Sequence, residues 1–190
     1  LKEFIRITDS EEFTPNPIKD AFNNGDKNNV KKYGKKLCAL YSHNPDVAIV
    51  PSLGQGTPSS VPALNFLAGE NTTTRGIYPS LLYFRTLEGR DKQLILTYGT
   101  SETEKSPISW KVTGGAEPIK EHYKKKSQIS YLESLVYKVY YPPFDNQYEQ
   151  ISKDIDNLVK IYLETLKSTT CNESTEESIV VSNRDTFKMI

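Results

Sequence analysis

Two apolar runs separated by a short polar turn constrain the fold of this chain more than any other feature. Residues 77–86 and 93–98 are rich in aromatic and aliphatic side chains, and residues 87–91 between them carry a glycine and three charges. This pattern predicts a β-hairpin. Because side chains alternate across a strand, Tyr78 and Leu82 are expected on one face of it.

Weaker patterns complete the fold prediction. Apolar side chains recur at three- and four-residue spacing over residues 21–40 and, most clearly, over 144–166, which predicts two helices. The other predicted elements are short: strands over 47–50 and 131–141, and helices over 1–13 and 117–126. We therefore expect a single α+β (mixed α/β) domain, in which a small mixed or antiparallel sheet is backed by helices.

The helical pattern is lost after Lys167, where the chain becomes polar and acidic. Such a composition is typical of linkers, because it offers little apolar surface to bury. The sequence therefore predicts a folded domain over residues 1–167, followed by a linker or tail over 168–190.

Composition argues against a membrane-spanning, secreted or metal-dependent protein. With 190 residues, 36% of them hydrophobic and 25% charged, the chain is typical of one globular domain. It has no run near the roughly 20 apolar residues that span a membrane, and no signal-peptide pattern. The two cysteines and two histidines are scattered and include no Cys-x-x-Cys motif, so no pattern for a zinc site or a Cys–His catalytic pair is present. We expect a cytoplasmic protein without metal, cofactor or catalytic residues, its cysteines reduced.

A glycine-rich loop follows the first predicted strand. Gly54 and Gly56 flank Gln55 and can present its side chain at the tip of a tight loop. The plainer interpretation is that the two glycines only make a turn. Tyr78 also allows two interpretations, because a tyrosine in an apolar strand is either a ligand platform or a packed core residue.

Several spaced motifs over residues 51–110 agree in order with one family. They are Gly54-Gln55-Gly56, Ser60-Val61-Pro62, Arg75-Gly76-Ile77-Tyr78-Pro79, the apolar run 81–84, Tyr98-Gly99-Thr100-Ser101-Glu102, and Trp110. This series resembles the N-terminal DNA-recognition domain of the McrB family, which serves modification-dependent restriction systems of the McrBC type.

The resemblance implies a function and a set of site residues. It implies a domain that binds double-stranded DNA and flips a modified, methylated cytosine into an aromatic pocket. Gln55, between Gly54 and Gly56, would be the finger that enters the duplex. The pocket would comprise Ala63, Tyr78, Leu82 and Tyr131. The expected phosphate contacts are Ser59, Ser60, Arg75, Arg85, Lys111, Lys124 and Lys125, although the lysines near 120–126 would equally suit a solvated helix face.

Two departures from the family pattern leave the ligand open. Ala63 stands where the family commonly has tryptophan, and Gln55 stands where its best-known pattern has an aromatic residue. The alternatives are a reader of methyladenine or of unmodified sequence, and a protein-interaction domain of the restriction complex. A nuclease or glycosylase is less expected, because the chain lacks a catalytic carboxylate pattern.

The resemblance also implies partners. In the family, the recognition domain precedes an AAA+ GTPase hexamer, which works with a McrC-like nuclease subunit. No Gly-x-x-x-x-Gly-Lys-Ser/Thr motif occurs in these 190 residues. The chain is therefore expected to be a binding domain and not an enzyme, with residues 168–190 leading towards a motor outside it.

Overall fold

The computed structural model describes residues 1–10, 24–55, 59–85, 92–104, 106–111, 115–123 and 131–185, with residues 24–29, 122–123 and 169–185 described by their backbone only. The helices are α1 Lys2–Thr8, α2 Asn24–Leu37, α3 Ile119–Tyr123 and α4 Tyr148–Asp185. The strands are β1 Ala39–Tyr41, β2 Asn44–Ser52, β3 Ala63–Ala68, β4 Ile77–Phe84, β5 Gln93–Thr100 and β6 Leu135–Tyr140.

The six strands form one antiparallel sheet in which each strand pairs with its neighbours in the chain, in the order β1 to β6. The predicted hairpin is present as β4 and β5, which pair from Ile77 with Thr100 to Phe84 with Gln93. The α+β prediction is therefore confirmed, and the sheet is antiparallel throughout the described strands.

Two strands were not predicted. The helix expected over 21–40 ends at Leu37, and β1 follows it because pairing with β2 and burial of the Tyr41 ring against Phe66 outweigh the helical periodicity. Strand β3 was not predicted because five of its six residues are buried, so its sequence shows no alternation between apolar and polar side chains.

Other element boundaries also differ from the prediction. Strand β6 begins at Leu135, four residues later than expected, because residues 131–133 form a turn. Helix α4 continues to Asp185, well past the predicted end at 166. A helix needs no apolar stripe to continue, and Glu, Lys and Ser are tolerated in one. The division into a domain over 1–167 and a tail remains a prediction.

The core lies on both faces of the sheet. A large cluster joins α1 and α4 to one face through residues such as Phe4, Leu81 and Tyr162. A smaller cluster on the other face contains Val61, Ala63, Leu82, Phe84, Ile95 and Ile119. Because both faces are covered, all eight residues of the central strand β4 are buried. None of the helices described here is long and apolar enough to cross a membrane.

Candidate nucleic-acid interface

Tyr78 and Leu82 share a face of β4, as the alternation predicts. A Cβ atom on Gly99, which pairs with Tyr78, would lie 3.4 Å from Tyr78 Cδ2 and 3.0 Å from Ser80 Oγ, so both side chains lie on this face. Leu82 is two residues further along and pairs with Ala63 of β3. The sheet thus places three predicted site residues on one surface, with Ser80 between Tyr78 and Leu82.

Tyr131 packs against the smaller cluster from outside the sheet. Its backbone has φ +74°, a left-handed conformation that is costly for a residue with a side chain. Burial raises the pKa of the Tyr131 hydroxyl, and hydrogen bonds with Ser52 and Asn65 oppose that rise. Ala63, Leu82 and Tyr131 therefore meet at one cluster, and their role as a base pocket remains a prediction.

Tyr78 has the surroundings of a packed residue. Only 2% of its surface is exposed, and its hydroxyl donates a hydrogen bond of 2.8 Å to the Thr73 carbonyl. Although Tyr78 lies on the same face of β4 as Leu82, its packing joins it to the larger cluster. Burial raises the pKa of this hydroxyl, and the nearby Tyr131 and the carboxylate of Glu102 raise it further. Its ring is not open to a base in this conformation, so its stacking role remains a prediction.

The loop after β2 is closed at its base by a backbone hydrogen bond, and it exposes Gln55. The Ser59 N–H donates to the Leu53 carbonyl at 2.7 Å, and Leu53 is buried. Gly54 has φ +120°, a conformation that favours glycine, and Gln55 beyond it is exposed. Gly56 lies outside the described residues. The loop therefore presents Gln55 to solvent, which suits the finger role.

This loop stands beside the Ala63–Leu82 pair. It leaves the sheet at Ser52, which pairs with Ala63, and it returns through Pro62, whose carbonyl accepts a 2.9 Å hydrogen bond from the Tyr83 N–H. The Ser59 hydroxyl donates to the Val61 carbonyl and accepts from the Val61 N–H, at 3.0 and 3.2 Å. Ser59 thus shapes the return of the loop, while Ser60 is exposed.

The predicted phosphate ligands among the described residues lie on different sides of the sheet. Arg75 is exposed in the turn before β4, and its Nε lies 3.9 Å from Glu104 Oε2. Arg85 is half-buried near Asp9 and Tyr83 on the α1 side of the sheet, where burial lowers the pKa of its guanidinium.

Lys111 also lies on the helix side, because its Nζ donates to Ser168 Oγ of α4 at 2.9 Å. Arg85 and Lys111 thus lie across the sheet from Leu82. Lys124 and Lys125 lie outside the described residues, as do the side chains around them.

Two polar residues of this face were missed from the sequence. Asn65 and Ser80 are buried at paired positions of β3 and β4, and Ser80 Oγ donates to Asn65 Oδ1 at 2.7 Å. The available signal was a polar residue within each apolar run, Ala63–Ala68 and Ile77–Phe84. Within the described residues, no group of three or more His, Cys, Asp or Glu side chains is placed to hold a metal ion.

Comparison with known proteins gives a partial match. No family model matches the chain. Over 79 residues, which are 41% of this chain, the sequence is 29% identical to the EcoKMcrB subunit of the Type IV methyl-directed restriction enzyme of Escherichia coli (strain K12). The chain is distantly similar to a McrB subunit. The matched segment is 16% of that relative's length, so the similarity concerns a small part of a much longer protein.

Proposed function

We propose that this chain is a DNA-recognition domain of a modification-dependent restriction system, which binds duplex DNA and flips a methylated cytosine towards Tyr78 and Leu82. The observation that carries the proposal is the meeting of Ala63, Leu82 and Tyr131 on one sheet face, beside a loop that exposes Gln55. The similarity to a subunit of a methyl-directed restriction enzyme supports it.

The proposed mechanism assigns one task to each part of the site. Base flipping needs a group that fills the gap in the stack and a pocket that receives the base. Gln55 is small enough to enter the duplex, and its amide can bond the orphaned partner base. Tyr78 and Tyr131 would stack on the flipped base, and Leu82 would contact its methyl group.

The free protein must rearrange for this mechanism to operate. Tyr78 and Leu82 are buried, and Tyr131 packs against the cluster that contains Leu82. We propose that the base displaces the Tyr131 side chain. The left-handed backbone of Tyr131 favours this step, since a strained conformation costs less to leave than a relaxed one.

The phosphate contacts are assigned to exposed groups. Ser60 and Arg75 are the described candidates in exposed positions outside the helix side of the sheet. Lys124 and Lys125, which lie outside the described residues, are kept as candidates on their charge alone. Each contact would add to the salt dependence of binding. The proposal assigns binding without catalysis to this chain, and cleavage to an AAA+ GTPase hexamer and a McrC-like nuclease subunit.

Fluorescence anisotropy at two salt concentrations tests the proposal. The panel is a set of matched duplexes that are unmodified or carry 5-methylcytosine, 5-hydroxymethylcytosine, N4-methylcytosine or N6-methyladenine. We expect tighter binding to a duplex with modified cytosine, weakened by salt. Preference for methyladenine, or equal binding to all duplexes, would favour the alternative readers, and no binding would favour a protein-interaction domain.

A finger variant adds a structural control. Gln55→Ala is expected to weaken binding of the modified duplex by about tenfold, the effect of losing roughly one hydrogen bond to the duplex. Glu70→Ala, another exposed loop residue, is expected to leave affinity unchanged. Neither substitution should shift the urea midpoint. Unchanged affinity of Gln55→Ala would remove the finger role.

A further inference from the structure

A row of buried polar side chains crosses the face of the sheet that carries the candidate site. Asn65 pairs with Val50 on one side and with Ser80 on the other, and Ser80 pairs with Thr97. The Asn65 amide donates to the Val50 carbonyl at 3.2 Å, Ser80 Oγ donates to Asn65 Oδ1 at 2.7 Å, and Thr97 Oγ1 donates to the Ser80 carbonyl at 3.2 Å. Asn65 is 1% exposed, and the other two side chains are fully buried.

This polar row lies among the candidate site residues on the sheet face. On β4, Ser80 stands between Tyr78 and Leu82 on the same face, and Asn65 is two residues from Ala63 on β3. A ring placed between Tyr78 and Leu82 would therefore lie over the Asn65–Ser80 pair. The neighbouring side chains of Tyr78, Leu82 and Ala63 are aromatic or aliphatic, whereas the Asn65–Ser80 pair is polar.

The sheet does not need this row for its own pairing. The next row on the same face, Ala63–Leu82–Ile95, contains only apolar side chains and belongs to the smaller cluster. Burying an amide and two hydroxyls is unfavourable unless each finds hydrogen-bond partners, so an apolar row would serve the core equally well. A hydrogen-bonded polar row in this place is better suited to recognising a polar ligand group.

We propose that Asn65, held by Ser80, is a specificity-determining residue that selects a cytosine with a hydroxyl group on its 5-substituent. This inference rests on the proposed function. Ala63 contributes only a methyl group beside the amide, so the substituent meets Leu82 on one side and Asn65 on the other.

A hydrogen bond with the Asn65 amide explains the discrimination. An amide has two N–H donors and an oxygen with two lone pairs, and Asn65 uses one donor towards the Val50 carbonyl and one lone pair for Ser80 Oγ. A hydroxymethyl group can make a further hydrogen bond with this amide, whereas a methyl group cannot and gains no such bond. We expect about tenfold tighter binding of 5-hydroxymethylcytosine than of 5-methylcytosine.

Binding measurements on duplexes that differ only at this substituent test the inference. Ser80→Ala removes the hydroxyl that holds Asn65, and Asn65→Leu removes the amide. Both are expected to weaken binding of the hydroxymethyl duplex to the level of the methyl duplex, whose affinity stays unchanged. Thr97→Val is the matched control in the same row, and it should keep the tenfold preference because Thr97 bonds the Ser80 backbone and not Asn65.

The outcomes separate this inference from the function on which it rests. If all duplexes bind equally, with or without modification, the proposed function fails and this inference fails with it. If modified cytosine is preferred but the methyl duplex binds as tightly as the hydroxymethyl duplex, only the role of Asn65 is overturned. A preference that persists in folded Ser80→Ala and Asn65→Leu would also overturn it. Ser80→Ala removes a single atom, so it keeps the test decisive if Asn65→Leu fails to fold.

Discussion

Gly76 occupies a position in the turn before β4 that no other residue type suits. Its φ is +101°, and a Cβ atom there would lie 1.9 Å from Asn71 Oδ1. The Asn71 side chain fills this space because it joins the two ends of the turn. It accepts a hydrogen bond from the Ile77 N–H at 3.2 Å and donates one to the Ala68 carbonyl at 2.9 Å. The glycine of the Arg-Gly-Ile-Tyr-Pro motif is thus explained by the turn that holds β4 against β3.

Gly76→Ala is expected to lower the free energy of unfolding by about 3 kcal/mol, because it adds backbone strain and displaces the Asn71 side chain with its two hydrogen bonds. Gly69→Ala is the matched control. Gly69 also has a positive φ, of +61°, but a Cβ there meets nothing within 4 Å, so the loss should be about 1 kcal/mol. Urea unfolding followed by the fluorescence of Trp110, the single tryptophan, measures both. Equal losses would contradict the role assigned to Asn71.

At the scale of elements, Asp154 attaches helix α4 to strand β6. Its carboxylate is buried and accepts hydrogen bonds from Lys138 at 2.7 Å, from Tyr140 at 2.9 Å and from Gln150 at 3.0 Å. Burial alone would raise the pKa of Asp154, but these bonds outweigh it and hold the pKa below its ordinary value. One side chain thus couples the edge of the sheet to the helix that covers it.

The stability contributed by Asp154 should depend on pH. Because its folded pKa lies below the unfolded value of about 3.9, the contribution is present above that value and is lost as pH falls through the folded pKa. At pH 7, Asp154→Asn is expected to have a free energy of unfolding about 2 kcal/mol below that of the parent, measured by urea unfolding. On acidification, the variant should lose less stability than the parent. Glu149→Gln, a substitution at an exposed position of the same helix, should have the stability of the parent at neutral and at acidic pH. If Asp154→Asn lost as much stability as the parent on acidification, the Asp154 carboxylate would not be the source of the pH dependence.

At the scale of the whole molecule, the two clusters share strand β4, so we expect the sheet and its helices to unfold together. Among the described side chains of α4, the buried ones run from Ile151 to Thr165. A chain ending at Ser168 keeps all of them, and it also keeps the bond between Lys111 and Ser168.

Removal of residues 169–190 is therefore expected to leave the urea midpoint and the DNA affinity unchanged. Circular dichroism and Trp110 fluorescence should report one coincident transition in both chains. A loss above about 1 kcal/mol would assign the end of α4 to the folded domain and contradict the predicted boundary near 167, since a change of that size exceeds what surface residues usually contribute.

The elements with strong periodicity were predictable, and those buried on both sides were not. Spacing alone predicted the apolar stripe of α4, which repeats every three to four residues at Ile151, Ile155, Leu158 and Tyr162. It also predicted the hairpin of β4 and β5, because a turn separates the two apolar runs. Strand β3 has no polar face to reveal its period, and β1 was hidden in the extension of a helical pattern. These strands are defined by their pairing partners, which local patterns do not contain.

The fold class, the hairpin, the apolar part of α4 and the shared face of Tyr78 and Leu82 could be predicted, because these depend on spacing along one segment. The pairing of Ala63 with Leu82, the position of Arg85 and Lys111 on the helix side, and the bond between Asn65 and Ser80 emerged only from the folded chain. Strand register and the packing of helices on a sheet arise from contacts between residues far apart in the chain. No short segment carries that information alone.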